Sequence, residues 1–268
     1  MEIQIITCKY GYYLSEVLRY ILEKEDYKVK ISDYVDLNSE KLHIILFSQK
    51  VKVFPKNYII YQLEQKEQSK WIDKKYELSL LFSKRSWDYS ECNINSFHEL
   101  IQKKLTLFRL PCIKYELINN KINNKIQEFD VLFYGTMNNS RMKILNLIQM
   151  NIDPKYNIKI INNIFGQELF EYIKKCKIVL NISFYQDALL ECYRINEVQS
   201  CEKLVISFFP NKKDIDNFNY YKESVIFVNS IELMVDRIKY YLENKEEYLR
   251  QISSIQYLKE TKFIHQLL

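Results

Sequence analysis

Runs of branched apolar residues, each followed by a polar or amphipathic stretch, recur along the whole chain. In the first half Ile3 to Cys8, Lys28 to Ser32, Leu42 to Phe47, Tyr58 to Leu63 and a short stretch from Ser86 to Tyr89 read as strands. The longest of these are apolar throughout rather than alternating, the pattern of parallel strands buried on both faces. Helical spacing appears from Leu14 to Lys24, from Trp71 to Leu80, and from a cap at Ser90 to about Gln102. Leu105 to Leu110 closes the half before Pro111. The alternation then restarts with strands at Val131 to Tyr134 and Ile158 to Ile161, and helices at Ser140 to Gln149 and Glu168 to Lys175. Lys177 to Phe208 reads as strand, loop, acidic helix from about Leu189 to Ser200, and strand. Ser224 to Val228 and Ile231 to Asn244 follow.

This pattern predicts an α/β protein of two Rossmann-like domains facing each other across a cleft. The first spans residues 1–115. The polar, repetitive stretch at 116–127 reads as a linker. The second spans 128–245, and 246–268 reads as a C-terminal helix. No apolar run approaches the roughly 18 residues of a membrane helix, and the N-terminus carries no basic flank or cleavage site. A cytoplasmic protein is expected, in the host cytoplasm if it is viral.

Open parallel sheets bind ligands at the carboxyl ends of their strands. Gly135 and Thr136, with Asn138 and the helix from Ser140, end one strand and suit a phosphate or sugar loop. Phe165 and Gly166 end the next, where an aromatic and an open backbone suit a nucleobase. Asp187 lies in the following loop. Glu191, Arg194 and Glu197, spaced by three, share one side of the acidic helix within about 120° of arc; the competing reading is a surface ion-pair ladder. In the first half Glu64 ends an apolar strand, and Tyr10, Gly11 and Tyr12 follow another, as candidates to contact an acceptor. Asp88 sits beside the Ser90 cap.

Composition narrows the chemistry. Glycine occurs three times in 268 residues, against an average of about 7%, and each one follows a predicted strand. The three histidines, His43, His98 and His265, lie far apart, so a transition-metal site is not expected and a general base is sought among carboxylates. His43, within LHIILF, reads as a strand histidine. Asp214 and Asp216 form a DxD, but in FFPNKKDIDNF they read as a solvated loop rather than a cation site. Six cysteines without a CxxC pair suit a reducing compartment. A net charge of +5, spread along the chain, suits an anionic small ligand and supplies no continuous basic groove.

With these pieces placed, the chain resembles GT-B glycosyltransferases. In their second domain a strand, a helix of the type RxxEaLxxGxxVIS and a strand follow one another. Arg194, Glu197, Leu204, Val205, Ile206 and Ser207 match that pattern. DVLFYGTMNNSR at 130–141, which adds Arg141 to the turn, and KIVLNISFYQ at 177–186 match further. NYIIYQLEQ at 57–65 and WDYSECNI at 87–94 are similar to segments of related enzymes in large DNA viruses and low-GC bacteria. Two departures stand out. Leu189 occupies the place of the first Glu of the retaining EX7E motif, with Glu191 two positions on, and the motif's glycine is replaced near Cys201 and Glu202.

The resemblance implies transfer of a sugar from a nucleotide diphosphate sugar to a glycan, lipid or protein hydroxyl, without a metal or other cofactor and without a nucleic-acid partner. Glu197 resembles the carboxylate that binds the ribose, the Gly135 turn the loop facing the diphosphate and sugar, and Arg194 a phosphate partner. Glu64 or Asp88 would activate the acceptor. Two other readings stay open: a non-catalytic nucleotide-sugar or glycan binder that kept the fold, and an enzyme that glucosylates modified DNA bases.

Overall fold

The computed structural model describes residues 1–119, 127–258 and 268. The middle of the predicted linker and the last part of the predicted C-terminal helix lie outside the described residues. Packing divides the chain into two units, Met1–Leu110 and Pro111–Tyr257. The division precedes the expected boundary because the chain joins the second core early. The Tyr115 ring stacks on Phe170 at 4.0 Å and its N–H donates to the Ser200 carbonyl at 2.9 Å.

In the first unit the described strands are β1 (Glu2–Ile6), β2 (Lys28–Ser32), β3 (Leu42–Leu46), β4 (Tyr58–Gln62), β5 (Arg85–Asp88) and β6 (Leu105–Leu107). They form a parallel sheet in the order β2-β1-β3-β4-β5-β6. β3 and β4 are buried along their whole length, as their unbroken apolar runs require. Ile6, Ile45, Ile60, Tyr76 and Leu80 build one core with Phe97 and Ile101. That core breaks the helix expected from Ser90 to Gln102 into Glu91–Asn95 and Glu99–Gln102. Phe97 turns inward to 3% exposure, and the imidazole of His98 restarts the helix by accepting from the Leu100 N–H.

The second unit holds β7 (Val131–Tyr134), β8 (Ile158–Ile161), β9 (Ile178–Asn181), β10 (Leu204–Phe208) and β11 (Val225–Val228). The parallel order is β11-β10-β9-β7-β8. From β7 the chain goes to β8 on one side and then crosses to β9 on the other, so the order reverses between β7 and β9. Such a reversal leaves a crevice outside the carboxyl ends of the two strands.

Two expectations for this unit are corrected. The acidic helix begins at Cys192 and runs to Gln199, which makes Glu191 its N-cap rather than a first-turn residue. Ala188, Leu189 and Leu190 are drawn into the interior ahead of it. The DxD stretch is not a solvated loop. Asp214 is fully buried, with Oδ2 accepting from the Leu190 N–H at 2.8 Å and Oδ1 from Asn217 Nδ2 at 2.9 Å. It precedes a helix, Ile215–Tyr221, that the polar sequence did not suggest. The Tyr221 hydroxyl anchors this helix on Asn196 Oδ1 at 3.0 Å.

The six cysteines are free, with Cys8 and Cys92 half-buried and the rest buried. No helix among the described residues is long and apolar enough to cross a membrane.

Asp214 thus works as a buried tie between two loops. Asp214→Ala would leave the Leu190 N–H unpaired, and urea titration should show a loss of about 1–3 kcal/mol. The loss should be the same with and without manganese; a manganese-dependent difference would return the pair to cation binding.

Candidate functional site

The crevice at the carboxyl ends of β7 and β9 is filled by charge. β7 ends at Tyr134, and Gly135 follows with φ +137°, a conformation that side chains rarely adopt. A Cβ there would lie 3.1 Å from Arg194 Nη2 and 3.2 Å from Arg141 Nη1. Two guanidiniums therefore press against a backbone that only glycine leaves open.

Arg141 comes from the first turn of the Asn139–Asn151 helix, which Asn138 caps by accepting from the Arg141 N–H at 2.8 Å. Asn138 Nδ2 also donates to the Phe184 carbonyl at 2.7 Å. The Arg141 side chain, 1% exposed with its residue, donates from Nε to the Ile182 carbonyl and from Nη1 to the Thr136 carbonyl, both at 2.8 Å. It thereby joins the loop after β7 to the loop after β9. Thr136 keeps its side chain exposed.

Glu191 sits between the two arginines. Its Oε1 lies 3.4 Å from Arg141 Nη2 and its Oε2 3.1 Å from Arg194 Nε. The second contact is off the hydrogen-bond line, so Arg194 Nε and Nη1 and Glu191 Oε2 are buried without a hydrogen-bond partner. Burial pulls the Arg141 guanidinium down to about 10, against the charge of Glu191 and reinforced by Arg194. For Arg194 burial acts the same way and is the largest single influence, but Glu191, Tyr134, Tyr193 and Glu197 together outweigh it and the group is held well above its ordinary value. Two cations share one carboxylate, with unused donors, at a backbone that lacks a Cβ. That arrangement suits a multiply charged anion.

Glu197, one turn beyond Arg194, accepts from the Tyr134 hydroxyl at 2.7 Å. Burial raises its carboxyl to about 7, opposed by the Tyr134 bond and by Arg194. Phe165 and Gly166 lie at the exit of the neighbouring β8, where Gly166 starts the Gly166–Lys174 helix with φ +62°. Asp187 stands apart, exposed and at φ +50°, and its carbonyl accepts from Asn211 Nδ2 at 3.1 Å. The structure thus brings Gly135, Thr136, Asn138, Arg141, Glu191, Arg194 and Glu197 to one crevice and adds Tyr134, whose ring Arg194 overlies at 5.1 Å and which the sequence reading passed over. A tyrosine closing an otherwise aliphatic and aromatic strand, next to one of three glycines, was the available signal.

In the first unit Glu64 follows β4 and is half-buried. Gln49 Nε2 donates to its Oε1 at 2.6 Å and the Ser69 hydroxyl to its Oε2. Burial raises its carboxyl, while the Ser69 bond and the charge of Lys50 pull it back. Neither Gln49 nor Ser69 carried a signal in the sequence. Asp88 requires a correction: it is fully buried, and its oxygens accept from the Ser90 N–H at 2.9 Å and from Gln62 Nε2 and Asn93 Nδ2 at 2.8 Å. A group so enclosed does not meet an acceptor. At the exit of β1, Tyr10 is exposed and lies 6.2 Å from the Phe47 ring. Gly11 is buried, where a Cβ would fall on Thr7 Oγ1 and 2.8 Å from that ring, so its role is packing. Tyr12 opens the Tyr12–Lys24 helix.

A family model described as glycosyl transferase-like matches residues 117–260. No curated protein matches the chain. Among solved structures, an alpha-glucosyltransferase in complex with UDP-glucose and DNA containing an abasic site aligns with a TM-score of 0.64 at 12% identity, over 99% of this chain and 95% of that one. HepE of Anabaena in complex with UDP and glucose aligns at 0.60 and 10% identity, over 96% and 94%. Sucrose-phosphate synthase from Thermosynechococcus elongatus aligns at 0.59 and 9% identity, over 100% and 98%. These are similarities of fold.

The close approach at Gly135 makes a direct test of the cluster. Gly135→Ala combines an unfavourable φ with two tight contacts, and chemical denaturation should show a loss of about 1–3 kcal/mol. A neutral result would mean that the guanidiniums do not press on this backbone.

Proposed function

The chain belongs to the glycosyl transferase-like family, and we propose that it moves a sugar from a nucleoside diphosphate sugar to an acceptor hydroxyl. The observation that carries this reading is the buried pair Arg141 and Arg194, sharing Glu191 and open to the backbone at Gly135. The diphosphate takes the unused donors of Arg194 and displaces no carboxylate, because Glu191 already lies between the two cations. Gly135 admits its oxygens to the backbone, and the N-terminus of the Asn139–Asn151 helix adds a positive dipole end. As the leaving diphosphate gains charge in the transition state, these fixed donors stabilise it without a divalent cation.

Glu197 receives the ribose hydroxyls, Phe165 and Gly166 the nucleobase, and Thr136, Asn138 and Asp187 border the donor. UDP accompanies the alpha-glucosyltransferase and HepE, which supports uracil as the base. In the first unit Glu64 takes the acceptor's proton, with Tyr10 and Tyr12 beside the acceptor. The raised carboxyl of Glu64 suits a base working near neutral pH. The acceptor is a glycan, lipid or protein hydroxyl, and the enzyme works in the cytoplasm. The free cysteines support that location.

Thermal shift and titration calorimetry with UDP, GDP and dTDP, each with and without EDTA, test the donor site. A nucleotide held tenfold above its dissociation constant should add about 1.4 kcal/mol to stability, unchanged by EDTA. Flat melting curves would remove the donor reading. Restoration by manganese alone would make the enzyme metal-dependent. Transfer to duplex DNA in preference to glycans would instead make DNA, with which the alpha-glucosyltransferase is found in complex, the acceptor.

Glu197→Gln separates binding from folding by sign. Loss of a charged acceptor for ribose should weaken nucleotide binding about ten- to a hundredfold. The carboxyl is raised in the fold from 4.5 to about 7, so it contributes fully below the unfolded value, and that contribution fades as pH rises through 7. The variant should therefore melt higher than the wild type at pH 8 and nearly level with it at pH 4.5. Normal binding by the variant would leave Glu197 as a partner of Tyr134 alone.

Glu64→Gln should lower kcat by roughly 10² to 10⁴ with nucleotide affinity unchanged. Wild-type turnover in this variant would pass proton removal to the leaving phosphate.

A further inference from the structure

Beneath Glu64 lies a polar network that the chemistry above does not use. Gln62, Asp88 and Ser90 are fully buried and Asn93 is 1% exposed. Asp88 Oδ2 accepts from both side-chain amides, Gln62 Nε2 and Asn93 Nδ2, at 2.8 Å. Because both NH2 groups point at Asp88, both amide carbonyls point away from it, towards the segment after β4. Gln62 Oε1 accepts from the Glu64 N–H and, at 3.1 Å, from the Tyr76 hydroxyl. Asn93 Oδ1 accepts from the Lys66 N–H at 2.8 Å, and Asn93 Nδ2 also donates to the Glu64 carbonyl at 2.9 Å. The backbone of Glu64 is thus gripped on both sides by amides whose orientation is set by one carboxylate.

We propose that Asp88 is a positioning residue: as an acceptor-only group it locks the Gln62 and Asn93 amides, and through them fixes the backbone from Glu64 to Lys66 and the aim of the Glu64 carboxylate at the acceptor. The argument is one of donors and acceptors. Every group on the Asp88 oxygens is a donor. An alanine in its place would leave both NH2 groups without the acceptor they share and free to turn. When Gln62 or Asn93 turns over, the turned amide presents NH2 to the N–H of Glu64 or Lys66. In either case the segment carrying Glu64 loses a hydrogen bond and moves. Asp88 is an ordinary helix-entry residue in one respect, its bond to the Ser90 N–H, but that bond occupies Oδ1 and leaves Oδ2 to the relay.

The inference rests on the reading of Glu64 as the base, and the test separates the two. Asp88→Ala and Asn93→Ala are each made alone and with Glu64→Gln. Each single variant should keep wild-type UDP affinity and lose kcat by about a hundredfold, the cost of a misplaced reacting group. In the Glu64→Gln background the same change should cost less than about twofold, since residues acting as one unit are not additive. Effects that multiply would overturn the proposal and leave Asp88 with a structural role only. A wild-type kcat in Asn93→Ala would do the same, and that variant serves if Asp88→Ala does not fold.

A second readout needs no turnover. In protein carrying 13C-labelled glutamate, the Glu64 carboxyl should titrate above the ordinary range in the wild type. It should move back towards that range in both variants, as the released segment admits water. An unchanged titration in both would overturn the proposal. Wild-type protein that binds UDP but transfers no sugar would remove the reading of Glu64 as a base, and the titration alone would then decide whether Asp88 governs that carboxyl.

Discussion

Two guanidiniums held against one carboxylate, away from water, are the constraint on which the second unit is built. Removing such charges from solvent is costly, and the mutual attraction offsets that cost only where the remaining donors are satisfied. Arg141 meets this condition through the Ile182 and Thr136 carbonyls. Arg194 does not, since two of its nitrogens lack a hydrogen-bond partner. The cluster is therefore an incomplete polar network, which is poor design for a core and apt design for a site that an anion completes. Its geometry also dictates local backbone. The loops after β7 and β9 are joined through one side chain, and a Cβ at residue 135 would crowd both guanidiniums.

The two carboxylates with the clearest environments are raised by the same cause and opposed by different neighbours. Glu197 is raised chiefly by burial, with one hydroxyl and one guanidinium opposing. Asp88 is also pushed up by burial, although four donors from Ser90, Asn93, Gln62 and Tyr89 converge on it and favour its charged form. Hydrogen bonds from neutral donors do not replace the hydration that a carboxylate loses. Glu64 is half-buried and held by Gln49 and Ser69. The first unit thus arranges its carboxylates in depth, with the buried one beneath the accessible one.

Much of the fold was legible because unbroken apolar runs leave few alternatives to a buried parallel strand. β2, β7, β8 and β10 have the ends that the sequence reading assigned. What escaped it was decided by tertiary contacts. Phe97 split a helix because the core takes its ring. The helix Ile215–Tyr221 was hidden by lysines and aspartates, one of which is buried. In the site, strand-end logic reached Gly135, Arg194 and Glu197, since a switch point follows from topology. It did not reach Gln49, Ser69 or Gln62, whose importance comes from facing a carboxylate across sequence separations that no local pattern records. Glu202 shows a geometric demand outlasting the residue that usually meets it. Near the place where the resembling helix carries glycine, Glu202 adopts φ +57°, and its carboxylate is held by Lys114 Nζ at 2.7 Å.

The distribution of thiols has a practical side. Four of the six sulfurs are buried, and the two half-buried ones, Cys8 and Cys92, both belong to the first unit. Cys8 follows β1, and Cys92 precedes Asn93 in the short helix that grips the Glu64 segment. A maleimide fluorophore would therefore label the first unit without any engineered cysteine. Its emission would sense the surroundings of the very residues that hold Glu64, while the unit carrying the arginine cluster stays dark.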